Sequence, residues 1–394
     1  MSVWDELIGQ RRAVDVMQRA VAGDVHAMSH AWLIVGPPGS GRSNAARAFA
    51  AALQCAEGGC GECNSCRTTL SGANPDVTLV RAQGLSIGVD EVRGLARKSA
   101  MTPTGGRWQI IVIEEADRVT DQASNALLKS LEEPPPRTVW LLCAPTPDDV
   151  SVTIRSRTRE LHLVTPNDDD VARLLINRDG VDQQTAKQVA HITQGHVGWA
   201  RGLARSESAR ATRQHIITLP SRLTGVGACL QEAAKLVSIA ESQVKENVAE
   251  LDATERANLD ASYGIGGGSR PAEIATTYAR DKKRLEEEQK SRAKRLVRSE
   301  LDKVFTDLTT WYRDVLTLQL GATPLPGTAP GVLPAVQIVN VDAADAITAA
   351  AQATTTAQTI RYLDAILTAR AQLDHNVSPL MAMESLLLSL GSKR

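Results

Sequence analysis

The pattern of apolar and polar positions changes character along the chain. Over roughly the first 165 residues, short apolar runs alternate with stretches of helical periodicity. "AWLIV" (31–35), "WQIIVIEEAD" (108–117) and "TVWLLCAP" (138–145) are apolar on both faces, as strands buried within a parallel sheet are. Between them lie "SNAARAFAAALQC" (43–55), "VDEVRGLARKS" (89–99) and "TDQASNALLKSLEE" (120–133), which read as helices. The last is stopped by Pro134, Pro135 and Pro136, because proline lacks the amide a helix interior needs. This alternation predicts a parallel α/β domain over residues 1–165. Short helical patterns over about 167–207 predict a small helical domain at 166–210.

From about 210 onward no strand pattern persists, and residues 211–394 are expected to form an all-helical domain. Phe305, Leu308, Trp311, Tyr312, Val315 and Leu316 keep helical spacing, as do Ile360, Leu363 and Leu367. "GIGGGSRP" (264–271) reads as a flexible break and "GATPLPGTAPGVLP" (321–334) as a loop. "ARDKKRLEEEQKSRAKRLVR" (279–298) mixes charge signs and reads as a solvated helix face. The predicted fold class is α/β plus all-α.

Composition narrows the possibilities. A 43% hydrophobic share with only 3% aromatic residues favours helical packing over a β-sandwich. The net charge of −1 excludes a uniformly basic nucleic-acid coat protein, so any nucleic-acid contact must come from a local patch or a larger assembly. The start, "MSVWDELIGQRRAV", does not read as a secretory leader, and no apolar run approaches the roughly 20 residues of a membrane span. The expected compartment is the cytoplasm.

"GPPGSGRS" (36–43) is one residue away from a phosphate-binding loop. Gly36, Gly39, Gly41 and Ser43 follow an apolar strand and precede a helix, the context in which backbone amides and a helix N-terminus cradle phosphates. Arg42 stands where such loops carry lysine, and its planar guanidinium does not replace a compact ammonium conservatively. The partner strand should end in Asp-Glu, with Asp organising magnesium. Here Ile113 is followed by Glu114 and Glu115, so the first carboxylate is one methylene longer. ATP or ADP could still bind at the glycines and Ser43, but hydrolysis is not expected.

Four of six cysteines fall within twelve positions: Cys55, Cys60, Cys63 and Cys66. Four soft ligands with Gly58, Gly59 and Gly61 between them suit tetrahedral zinc, and a site filled by sulfur alone is structural. An iron–sulfur cluster is the rival, but its expected fourth cysteine is replaced by Leu70. Unligated thiols are the remaining alternative.

"LIGQ" (7–10), "HAWLIVGPPGSGRS" (30–43), "SNALLKSLEEPP" (124–135) and "IRSR" (154–157), in this order and spacing, resemble the AAA+ clamp-loader family. The resemblance is strong over 1–205 and looser in the helical remainder, mainly at "NVSPLMAMESLLL" (376–388). It implies an AAA+ P-loop domain with a zinc module, a helical lid and a C-terminal collar domain. It further implies an accessory subunit of the DNA polymerase III holoenzyme, acting in DNA replication. The partners would be the motor subunits and the delta subunit in a five-subunit ring, the sliding clamp, and primer–template DNA reached through the complex. The polymerase chemistry would belong to another subunit.

Carried over by position, Ser156-Arg157-Thr158 matches a Ser-Arg-Cys motif that faces a neighbour's ATP. Arg157 would then be an arginine finger in trans. Arg201 in "GHVGWAR" matches a lid arginine that senses nucleotide. A sensor threonine would fall near Ala144 and Pro145, but Thr146 is one position late. Own-site elements are thus altered while the element serving a neighbour is kept. Arg93, Arg97, Lys98 and Lys129 offer charges for DNA phosphates, without a recognition helix or stacking platform. The seven histidines lack ligand or nucleophile partners in sequence and read as structural.

Two other readings use the same residues. One is an active AAA+ ATPase with a working Arg42 loop, such as the motor subunit or a related remodeller. The other is a zinc-stabilised scaffold or nucleic-acid-binding module with no ring function.

Overall fold

A computed structural model describes the chain except for residues 1, 25, 83–85, 265–271, 322–337, 376 and 392–394. The break expected at 264–271 and the loop expected at 321–334 therefore fall almost wholly outside the described residues. By its internal contacts the chain divides into two units, Met1–Glu207 and Ser208–Arg394.

The first unit opens with a 3₁₀ turn, Val3–Glu6, and α1 (Arg11–Val21). It continues through β1 (Ala31–Val35), α2 (Arg42–Gln54), α3 (Asn64–Ser71), β2 (Val77–Val80) and α4 (Val89–Ser99). Next come β3 (Gln109–Ile113), α5 (Asp121–Glu132), β4 (Thr138–Ala144), α6 (Val152–Arg155) and β5 (Arg159–His162). Three helices close it: α7 (Asp168–Asn177), α8 (Gln183–Thr193) and α9 (Val197–Arg205).

The five strands form one sheet in the order β2-β3-β4-β1-β5, and every pairing is parallel. β1 pairs Ala31 with Trp140 and Val35 with Ala144, which fixes the register at the sheet centre. Alternation along each strand then splits the core into two layers. Trp32, Ile34, Ile110, Val112 and Leu141 pack with α2 on one face. Leu33, Val35, Ile111, Ile113, Trp140 and Leu142 pack with α4 and α5 on the other. Such two-sided burial is what the uninterrupted apolar runs require. The strand order reverses between β1 and β4, so a ligand crevice belongs outside the carboxyl ends of these strands.

Local chemistry sets the helix ends. Thr120 caps α5, its Oγ1 accepting from the Ala123 amide at 3.3 Å. Asn167 caps α7 from the Asp170 amide at 2.7 Å, and Asp168, Asp169 and Asp170 fill the first turn, where the helix dipole favours negative charge. Strands β2 and β5 had no counterpart in the sequence reading. Each has four residues and pairs on one side only, and β5 is the polar "RELH", so neither makes an apolar run.

The second unit is helical. It contains α10 (Glu207–Thr218, from one residue before the boundary), α11 (Val226–Ser262), α12 (Ala272–Gln319), α13 (Ala344–Ala353), α14 (Thr356–Asp374) and α15 (Pro379–Gly391). Its core joins Phe305, Leu308, Trp311, Tyr312 and Val315 of α12 to Leu236 of α11, Ile366 of α14 and Leu387 of α15. The helix expected around Ile360 and Leu367 is present, but these two side chains face solvent, 46% and 55% exposed. Thr359, Ile366, Ala369 and Leu373 are its buried positions. Among the described residues no helix is long and apolar enough to cross a membrane.

A polar cluster sits inside this core. The buried Arg213 of α10 faces Asp307 of α12 at 3.2 Å and Asp342 at 3.3 Å, and it donates to Asn340 Oδ1. Burial raises the Asp307 carboxyl to about 7, against the pull of Arg213. The unfolded carboxyl titrates near 4, so the folded state binds the extra proton between these values. Stability should therefore fall as pH rises from about 4 to about 7. We expect Asp307→Asn to flatten that slope in urea titrations, and an unchanged slope would refute this origin.

Candidate functional site

The crevice is built where the carboxyl ends of β1, β3 and β4 meet. Gly36 follows β1 and is fastened to the end of β4, its amide donating to the Pro145 carbonyl at 3.2 Å. Gly41, at φ +91, then turns the chain into α2. The loop is thus the expected strand–loop–helix, with Ser43 in the first turn of α2. Arg42 does not extend away from it. Its guanidinium bends back and donates to the carbonyl of Gly36, while its own carbonyl lies 3.7 Å from the Cys143 thiol.

The carboxyl end of β3 carries the main departure from a magnesium site. Glu114 is buried, with its side chain 3% exposed. Arg47 of α2 holds one carboxylate oxygen through Nε at 2.9 Å and Nη2 at 2.8 Å. Arg81, just after β2, donates its Nε to the other oxygen. Two guanidinium groups therefore occupy the acceptor positions that a divalent ion would need. Glu115 accepts from the Ala82 amide at 3.2 Å and lies 3.9 Å from Arg118. Thr146 is spent locally, its Oγ1 donating to Asp149 at 2.8 Å.

Two contacts that sequence reasoning missed reach the loop from outside the sheet. Gln10 is buried and donates to the carbonyls of Ser40 at 3.3 Å and Val164 at 2.6 Å, and it accepts from the Val164 amide at 3.0 Å. That gives the quoted "LIGQ" a physical task, since it staples the loop to the end of β5. His196, which caps α9 from the Trp199 amide at 3.1 Å, lies over Gly39. A Cβ at Gly39 would sit 2.5 Å from the imidazole and 2.8 Å from the His196 Cα, so only glycine fits there. A lone histidine in a helical stretch gave no such signal. Beside Gly9 a cavity of about 620 Å³ is lined by Leu7, Ile8, Leu174, Asn177 and Arg178.

Among the described residues, neither Arg201 nor Arg157 hydrogen-bonds to the loop. Arg201 makes a bidentate pair with the buried Asp179, 2.9 Å at both oxygens, and Arg205 joins at 2.5 Å. Burial opposes ionisation of Asp179, but the two arginines prevail and hold its carboxyl below the usual range. Arg157 is paired with Glu132 at the end of α5, 2.6 Å from its Nε, and donates to the Thr153 carbonyl at 2.9 Å. It is part-exposed, with 34% of its side chain accessible.

The cysteine cluster forms as expected. The four Sγ atoms lie within 4.8 Å of one another. Cys55 is 3.7 Å from Cys60 and 3.8 Å from Cys63. Tetrahedral zinc with bonds of about 2.3 Å puts neighbouring sulfurs about 3.8 Å apart, which these two separations match. Burial works against a Cys55 thiolate, but amides of Cys60, Gly59 and Glu57 outweigh it and bring the thiol down to about 6. The module is pinned to the chain start: Val3 donates its amide to the Gly59 carbonyl at 3.0 Å, and the Trp4 indole donates to Gly58 at 3.1 Å. With Gly59 at φ +111, an added Cβ would meet Val3 at 2.6 Å.

The sequence also matches known proteins. Residues 9–167 match the model for "DNA polymerase III, delta subunit". The delta' subunit of Bacillus subtilis DNA polymerase III is 32% identical over 213 residues, covering 53% of this chain and 64% of that one. These matches support a DNA polymerase III clamp-loader family member. A delta' subunit from Pseudomonas aeruginosa is 38% identical over 135 residues, covering 33% of this chain and 41% of that one. The gamma/tau subunit of Mycobacterium tuberculosis is 35% identical over 158 residues, covering 39% and 27%. The chain thus spans from about a quarter to under two thirds of the length of these relatives. The parallel sheet with flanking helices and the helical remainder agree with an AAA+ α/β domain followed by helical domains.

Two outcomes follow. Glu114→Ala leaves two guanidinium groups facing each other without their anion. It should cost roughly 3 kcal/mol, the low end for breaking a buried pair because both arginines keep some water, and urea denaturation would read it. Purified chain should carry about one zinc by elemental analysis, and Cys63→Ser should lose both the metal and part of the melting temperature. Full metal retention in Cys63→Ser would exclude the four-sulfur site.

Proposed function

We propose that this chain is a delta prime-type accessory subunit of the clamp loader, with a retired nucleotide site of its own and an arginine offered to a neighbour. The observation that carries this reading is the double ion pair at Glu114. A working site needs the first carboxylate after β3 free to organise magnesium. Here Arg47 and Arg81 already neutralise it, and Arg42 caps its own loop at Gly36. The glycines and Ser43 of the loop remain in place, so passive binding of ATP or ADP without turnover fits the same reading.

Arg157 is the complementary half of the proposal. Its partner Glu132 is 48% exposed, so the pair is a solvent-screened one of small worth. A γ-phosphate presented by a neighbouring subunit would compete for the guanidinium effectively. In this reading residues 166–210 act as the lid and 211–394 as the collar that ties the chain into a five-membered ring with motor subunits and delta. Hydrolysis at the neighbour's site would then be coupled to release of the sliding clamp on primed DNA, in the cytoplasm.

The test is ATP turnover by the motor subunits with clamp and primed DNA, without this chain, with it, and with Arg157→Ala. The wild-type chain should stimulate turnover and be inactive alone. The alanine variant should enter the complex on gel filtration yet lose the turnover of the site it serves by on the order of 10³-fold or more. Hydrolysis by the isolated chain, with Arg157→Ala indifferent, would identify an active ATPase instead.

A further inference from the structure

In the second unit, the distal part of α11 and the first part of α12 pair beyond the apolar core. Polar bonds hold this two-helix arm. Arg292 grips Asp252 and Glu255 at 2.6 Å each, Arg256 donates to Gln289 at 3.0 and 2.9 Å, and Tyr263 packs edge-on against Tyr278. Tyr263 also donates to Asp281 at 2.6 Å, and Tyr278 to Asp260 at 2.8 Å. The acids Asp252, Glu255, Asp260 and Asp281 are therefore turned inward and consumed in holding the arm together.

Between Arg280 and Arg298, α12 carries nine Lys or Arg against four Asp or Glu. At about 100° per residue, Gln289, Leu285 and Leu296 share the face turned to α11. Arg280, Lys283, Glu287, Lys290 and Lys294 fall on the opposite face, within a sector of about 80° and over a length of about 21 Å. All five are exposed. Among the described residues Lys283, Lys290 and Lys294 form no ion pair, and Arg280 meets only its neighbour Asp281 at 3.5 Å. The outer face is a cationic stripe with one acid in it and no aromatic side chain.

We propose that this stripe is a docking surface for the phosphate backbone of duplex DNA. Unpaired ammonium groups at one- and two-turn spacing suit a row of phosphates, and their counterion release makes such contact favourable at low salt. The duplex is favoured over single strands because those are held by stacking on aromatic rings, and both tyrosines here are turned to each other. Glu286 on α12 and Glu246 and Glu250 on α11 are further exposed acids of these two helices. They lie off its face or on α11 and limit the contact to one side of the arm. The inference goes beyond the clamp-loader role, because it assigns a contact to this chain's own helical unit.

The test uses the full chain and a fluorescein-labelled duplex of about 25 base pairs, titrated by anisotropy from 50 to 200 mM salt. The variant replaces Lys283, Lys290 and Lys294 by Gln, all exposed positions, and its melting temperature should match the wild type. Three lost phosphate contacts should make the slope of log K against log salt shallower by about 2.7, which corresponds to about 40-fold across that salt range. Glu287→Lys should shift affinity the opposite way and steepen the slope. Equal slopes for wild type and triple variant would overturn the proposal. So would tighter binding through these lysines to a single strand of equal charge, or to an acidic peptide that displaces the duplex.

Discussion

A carboxylate at the end of a fully buried strand cannot stand alone, because desolvation penalises its charge. In the first unit that carboxylate is Glu114, and its neutralisation constrains everything around it. Arg47 ties α2 to β3, and Arg81 ties the end of β2 to the same atoms. Since α2 also carries the phosphate-type loop, a single buried anion fixes loop, helix and two strands relative to one another. A magnesium–nucleotide complex performs that joining in a working hydrolase of this architecture. Here the chain's own cations perform it, so the arrangement does not wait for a ligand.

The same solution recurs at other charged clusters among the described residues. Asp179 is clamped by Arg201 and Arg205, and Arg213 faces Asp307 and Asp342 within the helical core. Arg292 bridges two acids between α11 and α12. Guanidinium suits these roles because its planar fork can serve two oxygens while staying charged at any ordinary pH. Each such cluster links elements distant in sequence, which gives specificity that apolar contact alone supplies weakly. The cost is a fixed geometry, and that matters for a residue expected to respond to nucleotide. Arg201, held bidentate by a buried aspartate, must give up two strong bonds before it can do so.

Much of this was legible in the sequence where the signal is local. The three central strands, buried on both faces, appear as apolar runs; those at 31–35 and 138–145 match their strands within a residue, while the stretch 108–117 runs four residues past the end of β3, and "LEEPPP" marks the end of α5. The four cysteines declare themselves by spacing, and their sulfurs do gather within reach of one ion. What stayed hidden was non-local. Strands β2 and β5 border the sheet and are too short or too polar to show periodicity. Nothing in "LIGQ" says that Gln10 reaches Ser40 and Val164, and nothing near His196 says that it lies over Gly39. The amphipathic signal at Ile360 and Leu367 was real as a helix yet pointed to solvent, since the buried side is set by where α12 and α15 pack against it.

The two guanidinium groups at Glu114 also bear on why Glu rather than Asp stands there. An aspartate at that position would draw its carboxylate about one methylene back toward the strand. Arg47 from α2 and Arg81 from β2 approach from different elements, and the longer side chain lets each take a separate oxygen. The extra methylene that looked like a departure from a metal site carries the carboxylate out to where Arg47 and Arg81 meet it. Arg42 follows the same logic: a guanidinium can fold back onto the carbonyl of Gly36 with directed N–H groups, where a lysine ammonium would favour water or phosphate. Read together, the substitutions at 42 and 114 are mutually consistent choices for a loop stabilised from within. Arg157 sits apart from that network, on a part-exposed pair with Glu132 at the end of α5.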